Sequence, residues 1–233
     1  MKVWAHRGAS ADAPENTLMA FAEAVRQGAD GVELDAMVCG SGEVVVCHDE
    51  HLGRLAGVDR HVRDMSAQAL RESRAAVPTL EAVLGALPGH FEINIELKSD
   101  GWNDRGLARR LAEMLRDRQL ASRVIVSSFN PIVLRRFERF APEVRLGWLI
   151  DPDKPYWLHG TLLTKCLARF SVHPPDSACT EKRLRSWKQR GWAIVVWTVD
   201  SPERAQWLAA RGVEYCITNR PGLIRDALVS QPG

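Results

Sequence analysis

No two cysteines of this 233-residue chain form a C-x-x-C pair. Cys39, Cys47, Cys166, Cys179 and Cys216 are odd in number and widely spaced, so they offer neither a disulfide framework nor a thiolate zinc site, and a reducing cytoplasm is the expected compartment. A run of about 18 apolar residues, enough to span a bilayer, is also missing. His6 and Arg7 break the first apolar stretch before it could serve as a signal core. A soluble protein without stable membrane insertion is expected. Charge excess is absent too: 31 basic against 29 acidic side chains leave +2. The basic residues are interspersed with acids, which makes no footprint for a polyanion, and nucleic acid is not an expected partner. Tyrosine is scarce, at two against eight Trp and six Phe, so indole and phenyl rings must supply most of the bulk for a core or a pocket wall.

With 45% hydrophobic and 26% charged residues the chain can build a large core. Short β-branched or apolar runs occur at Lys2 to His6, Gly31 to Asp35, Val44 to His48, Phe91 to Lys98, Val124 to Ser127, Val144 to Ile150, Phe170 to His173, Ile194 to Val199 and Tyr215 to Thr218. Helix-length amphipathic segments separate most of them: Thr17 to Gln27, with Asn16 as the expected cap, Arg105 to Arg118, Pro131 to Phe140, Glu181 to Arg190 and Pro202 to Arg211. Gly191 and Gly212 stand where helices should stop. Eight principal strands, with Val44 to His48 returning as a hairpin on the second, predict a (β/α)8 TIM barrel rather than an open doubly wound sheet. The charge-rich piece at about 50–77 reads as a small insertion after the second strand, within a single domain spanning 1–233.

Acid, base and cation recur where these runs end. Residues two apart on a strand share a face, roughly 6.6 Å apart, so Glu33 pairs with Asp35, and Glu96 with Lys98. Either pair alone reads as exposed charge or a weak salt bridge. Both together, at the strand ends where barrels place their chemistry, point to a site. Three carboxylates, Glu33, Asp35 and Glu96, suit a hard divalent ion, Mg²⁺ or Ca²⁺, better than zinc. His6 and His48 end runs as well and can serve as acid and base, while Arg7 and Lys98 offer a guanidinium fork and a point charge for phosphate. Phe129 and Trp197 fall at strand ends, where they can wall in the carbon part of a substrate. His173 is as compatible with a pocket as with a core, and His51, His61, His90 and His159 read as surface residues.

The ordered set HRG, PENT, ELD, HD, ELK, SSF, VWTVD and GVEYCITNRP, running from His6 to Pro221, resembles the glycerophosphodiester phosphodiesterase family, in particular its compact cytoplasmic bacterial members. The resemblance implies a TIM barrel with a small insertion after the second strand. It implies metal ligation by Glu33, Asp35 and Glu96, acid–base roles for His6 and His48, and phosphate contacts from Arg7 and Lys98. It departs from the family at Asp200, where WTVN is frequent, and that change is expected to alter charge at the mouth of the site. The expected activity is metal-dependent hydrolysis of small-molecule glycerophosphodiesters to sn-glycerol 3-phosphate and an alcohol. Lysophospholipase D or sphingomyelinase D-like chemistry is the alternative within the class, and a non-catalytic phosphate-binding module is the alternative outside it.

Overall fold

The computed structural model describes residues 1–99, 102–151 and 170–230. Nine strands form one sheet: β1 (Lys2–His6), β2 (Gly31–Val38), β3 (Val44–Val46), β4 (Glu92–Leu97), β5 (Val124–Ser128), β6 (Arg145–Leu149), β7 (Ser171–His173), β8 (Ala193–Val196) and β9 (Tyr215–Thr218). Eight of them are parallel, and β1 pairs with both β9 and β2, so the sheet closes into a barrel. β3 is the antiparallel exception, turning back on the end of β2 through the pairs Ala36–Val46 and Val38–Val44. The expected TIM barrel and its hairpin are both present.

Side-chain alternation divides the barrel into two apolar populations. Val3, Ala5, Val32, Leu34, Ile93, Ile95, Val124 and Val126 face the helices and join the large core. The positions between them point inward, where Trp4, Ile125, Val195, Tyr215 and Ile217 form a separate cluster. Moving along β1, β2 and β4 toward their C-terminal ends, the inward positions change from Trp4 and Gly31 to His6, Glu33, Asp35, Asn94 and Glu96. The apolar plug therefore lies beneath a polar layer.

Among the described residues the helices are α1 (Leu18–Arg26), α2 (Gly53–Ala56), α3 (Ala67–Glu72), α4 (Leu80–Ala86), α5 (Leu107–Asp117), α6 (Pro131–Phe140), α7 (Glu181–Lys188), α8 (Pro202–Ala210) and α9 (Pro221–Val229). In α5, Leu107, Ala108, Leu111, Ala112 and Leu115 are buried, the i, i+4 stripe its sequence prescribes. Thr17, not Asn16, caps α1, its hydroxyl accepting from Ala20 N. Helices α4 and α9 were not among the expected segments. Segment 50–77 holds α2, α3 and a 3₁₀ turn at Val62–Asp64, and its Leu52, Val62, Met65 and Leu70 pack with Met37, Val45 and Cys47 of the hairpin. The four described cysteines, Cys39, Cys47, Cys179 and Cys216, are free and buried; Cys166 and His159 lie outside the described residues. Among the described residues no helix is long and apolar enough to cross a membrane.

Candidate active site

Strand register assembles the acidic residues. Glu33 lies beside His6 across β1–β2, and Asp35 lies beside Glu96 across β2–β4. One oxygen from each of Glu33, Asp35 and Glu96 falls within 4.8 Å of the others, and all three residues are buried. Burial, reinforced by the charges of Asp35 and Glu96, pushes the Glu33 carboxyl well above the ordinary range. Burial likewise raises Glu96, to about 7. For Asp35 burial acts in the same direction, but Lys98 and Arg7 outweigh it and hold the group low.

These shifts describe an acidic cluster with too little positive charge. Lys98 Nζ is 2.6 Å from Glu96 Oε1 and 3.1 Å from Asp35 Oδ1, and Arg7 Nε is 3.2 Å from Asp35 Oδ2. Asp35 Oδ1 is thus met by the Lys98 ammonium alone, and Glu33 has no cation of its own at this distance among the described residues. An all-oxygen donor set of three buried carboxylates, with one oxygen of each within 4.8 Å of the others, fits a hard divalent cation.

A cavity of about 350 Å³ opens over the trio. Its lining combines the polar His6, Arg7, Glu33, His48, Glu96 and Lys98 with the apolar Phe129, Leu149, Trp197 and Ile217. The Phe129 and Trp197 rings meet edge to face at 5.9 Å, and Trp197 Nε1 donates to His173 O. Of the nine residues expected in the site, eight line this cavity, and Asp35, fully buried, lies among them as part of the acidic cluster.

Gly8 lets the first loop lie close to α1: its φ is +84°, and a Cβ there would come within 2.6 Å of the Ala20 backbone. Arg7 and Asn16 also take left-handed backbone, at φ 55° and 57°, and Asn16 N donates to Arg7 O across 2.8 Å. This turns the Asn16 side chain inward, where Nδ2 donates to Asp35 Oδ2 at 2.8 Å. The residue read from sequence as a helix cap thus holds a carboxylate of the trio.

His6 is largely buried; that burial and the Arg7 charge lower its pKa, against the opposing contact with Asn219. Its Nε2 is 4.0 Å from Glu33 Oε2. His48 lies beyond β3, which ends at Val46, so the expectation that it ends a strand is corrected; its Nδ1 is 2.7 Å from Asp49 Oδ1. Arg54 of α2 donates to Asp49 Oδ2 at 2.6 Å and to both oxygens of Glu15, which also accepts from Arg7. One ion-pair chain therefore joins the loops that carry the two histidines.

Asp200, expected to alter charge at the mouth of the site, does not itself line the cavity. It accepts from Asn219 and Thr218, behind His6. His173 does not line the cavity: it is fully buried, with Nε2 2.8 Å from Ser171 Oγ. His90 is exposed, and His51 is part-exposed beside Asp59. Sequence reading passed over Asn94, Glu15, Asp49 and Asn219 as site residues. For Asn94 a signal existed, since it precedes Glu96 by two and shares its face.

The chain matches the glycerophosphoryl diester phosphodiesterase family over residues 6–223. A glycerophosphodiester phosphodiesterase of Caldanaerobacter subterraneus subsp. tengcongensis is 31% identical, with 94% of each chain covered. Another, from Bacillus altitudinis, is 35% identical over 94% of this chain and 95% of its own. Among solved structures, an Oleispira antarctica phosphodiesterase in complex with the product sn-glycerol-3-phosphate superposes with a TM-score of 0.87 at 25% identity, covering 99% of this chain and 97% of its own. The Thermotoga maritima glycerophosphodiester phosphodiesterase gives 0.80 at 31% identity, with 96% of each chain covered. With this match from His6 onward and this barrel beneath it, the chain belongs to the glycerophosphoryl diester phosphodiesterase family.

Proposed function

We propose that this chain is a cytoplasmic, single-domain phosphodiesterase that hydrolyses small glycerophosphodiesters to sn-glycerol 3-phosphate and an alcohol. Glu33, Asp35 and Glu96 hold the divalent ion, Mg²⁺ or Ca²⁺. When bound, that ion supplies positive charge for phosphate oxygens and for an ionising hydroxyl. Arg7 and Lys98 complete the cationic side of the phosphate site. Of His6 and His48, one takes the proton of the attacking oxygen and the other delivers a proton to the departing alcohol oxygen. Phe129 and Trp197 exclude water on the side where the carbon skeleton lies.

One observation carries this reading: two imidazoles and two cations line one cavity together with Glu33 and Glu96 of a cluster of three buried carboxylates. A phosphate-binding module needs the cations but has no use for two histidines beside a metal-type cluster. Release of sn-glycerol 3-phosphate from glycerophosphocholine, measured with Mg²⁺ or Ca²⁺ and again with EDTA, tests it. Metal-dependent release is expected. No release, or release that survives chelation and dialysis, overturns the proposal, and turnover confined to lysophospholipid or sphingomyelin replaces its substrate.

A further inference from the structure

Behind the His6 ring lies a hydrogen-bonded chain that the proposed chemistry does not use. His6 Nδ1 is 2.7 Å from Asn219 Oδ1, which also accepts from Ser10 Oγ at 2.8 Å. Asn219 Nδ2 in turn donates to Asp200 Oδ2 at 2.6 Å. Asp200 Oδ1 accepts from the Asn219 backbone N–H at 2.8 Å and from Thr218 Oγ1 at 2.9 Å.

The donor inventory leaves one arrangement. A carboxylate only accepts, so Asp200 fixes which end of the Asn219 amide faces it. Turning the amide over would set Oδ1 against Asp200 Oδ2 and forfeit the charge-assisted bond. With Nδ2 committed to Asp200, the oxygen must face His6, and a carbonyl oxygen can only accept. The hydrogen of this bond therefore belongs to the imidazole. We propose that Asp200 and Asn219 are positioning residues that hold neutral His6 as its Nδ1–H tautomer, so that the lone pair is on Nε2, the nitrogen on the side of Glu33. A free neutral histidine side chain favours the opposite tautomer, so the protein sets the form of the ring through the nitrogen away from the chemistry. Asp200 is suited to this. Its two oxygens meet three donors, whereas an amide at the same position would offer one oxygen and leave Asn219 freer to turn.

The effect on turnover rests on the acid–base role proposed for His6, but the tautomer does not, and the test separates them. Two-bond ¹H–¹⁵N correlation spectra of histidine-labelled protein at pH 8, with and without Mg²⁺, read the tautomer directly, His6 being assigned by its absence from His6→Gln. The wild type should show Nδ1–H, and Asn219→Ala should move His6 toward Nε2–H. Asp200→Asn should give a mixture, and it carries the test if Asn219→Ala does not fold. In glycerophosphocholine hydrolysis, Asn219→Ala should lower kcat at least about tenfold with KM within about threefold. Combined with His6→Gln, it should cause no loss beyond that of His6→Gln alone, because it acts through a ring no longer present. An Nε2–H ring in the wild type, an unchanged tautomer in the variants, or losses that multiply in the double variant would overturn the proposal. Undiminished kcat in His6→Gln would overturn its kinetic half together with the acid–base reading, while the spectra still decide the positioning.

Discussion

Lys98 Nζ lies 3.1 Å from Asp35 Oδ1, so it ties β4 to a carboxylate of β2 as well as to its strand neighbour Glu96. The salt bridge to Glu96, the alternative to a phosphate contact, is present, yet Lys98 also lines the cavity. Burial alone would lower its pKa, but Asp35 and Glu96 outweigh that and raise it. Lys98→Ala should therefore lower kcat/KM for glycerophosphodiesters by roughly 10²-fold, the scale of losing one donor to a charged transition state. Steady-state kinetics and thermal unfolding on the same variant provide the check. A large fall in melting temperature with kcat/KM unchanged would reduce Lys98 to a structural ion pair.

Divalent metal should stabilise the folded protein independently of turnover. At a concentration about 100 times Kd, binding to the folded state alone adds about 2.7 kcal/mol. Calorimetry of dialysed protein with increasing Mg²⁺ or Ca²⁺ should show a rising melting temperature, and Asp35→Asn should shrink the rise. A melting temperature indifferent to both ions would argue against the trio as a metal site.

His6→Ala and His48→Ala should each reduce kcat by roughly 10²-fold or more while circular dichroism stays native, because positioned acid–base groups contribute on that scale. Near-normal kcat in either folded variant would remove that histidine from the chemistry.

His173 gives the protein a specific acid sensitivity. Full burial depresses its pKa from 6.5 to about 3. Between those values the unfolded chain binds a proton there and the folded chain does not. Stability is complete above pH 6.5 and falls as pH drops through the window, by about 1.4 kcal/mol per pH unit from this group. Urea midpoints from pH 7 to pH 4 should show a slope that His173→Gln makes shallower. Equal slopes would contradict the assignment.

The leaving alcohol should matter little. The apolar part of the cavity lining is Phe129, Leu149, Trp197 and Ile217, and among the described residues it carries no charge to recognise a headgroup. Glycerophosphocholine, glycerophosphoethanolamine and glycerophosphoglycerol should have similar kcat/KM. A hundredfold preference, about 2.7 kcal/mol in transition-state binding, would reveal a headgroup contact outside this wall.

The barrel and the charged side of its cavity were legible in the sequence because both depend on local alternation. A period of two along β2 and β4 announces which carboxylates share a face, and a charged residue on an otherwise apolar strand stands out. Asn16, Asp200 and Asn219 were not legible in the same way. Asn16 looks like any residue before a helix, and only the left-handed turn at Arg7 and Asn16 sends its amide to Asp35, 19 residues away. Asp200 read only as a change of charge at the mouth of the site because its partners come from the next strand's end, fixed by the pairing of β8 with β9. Helix α4 escaped notice for a simpler reason: its seven residues are too few to establish a period.

The bond between His6 and Asn219 joins positions 213 residues apart. As the chain leaves the ribosome, Glu33, Asp35 and Glu96 all emerge well before Asn219, the amide proposed to orient His6. A nascent chain holding every carboxylate of the acidic cluster still lacks the hydrogen bond between His6 and Asn219. Synthesis must reach the far side of β9 before that contact can form, so the order of translation separates the acidic cluster from the completed surroundings of His6.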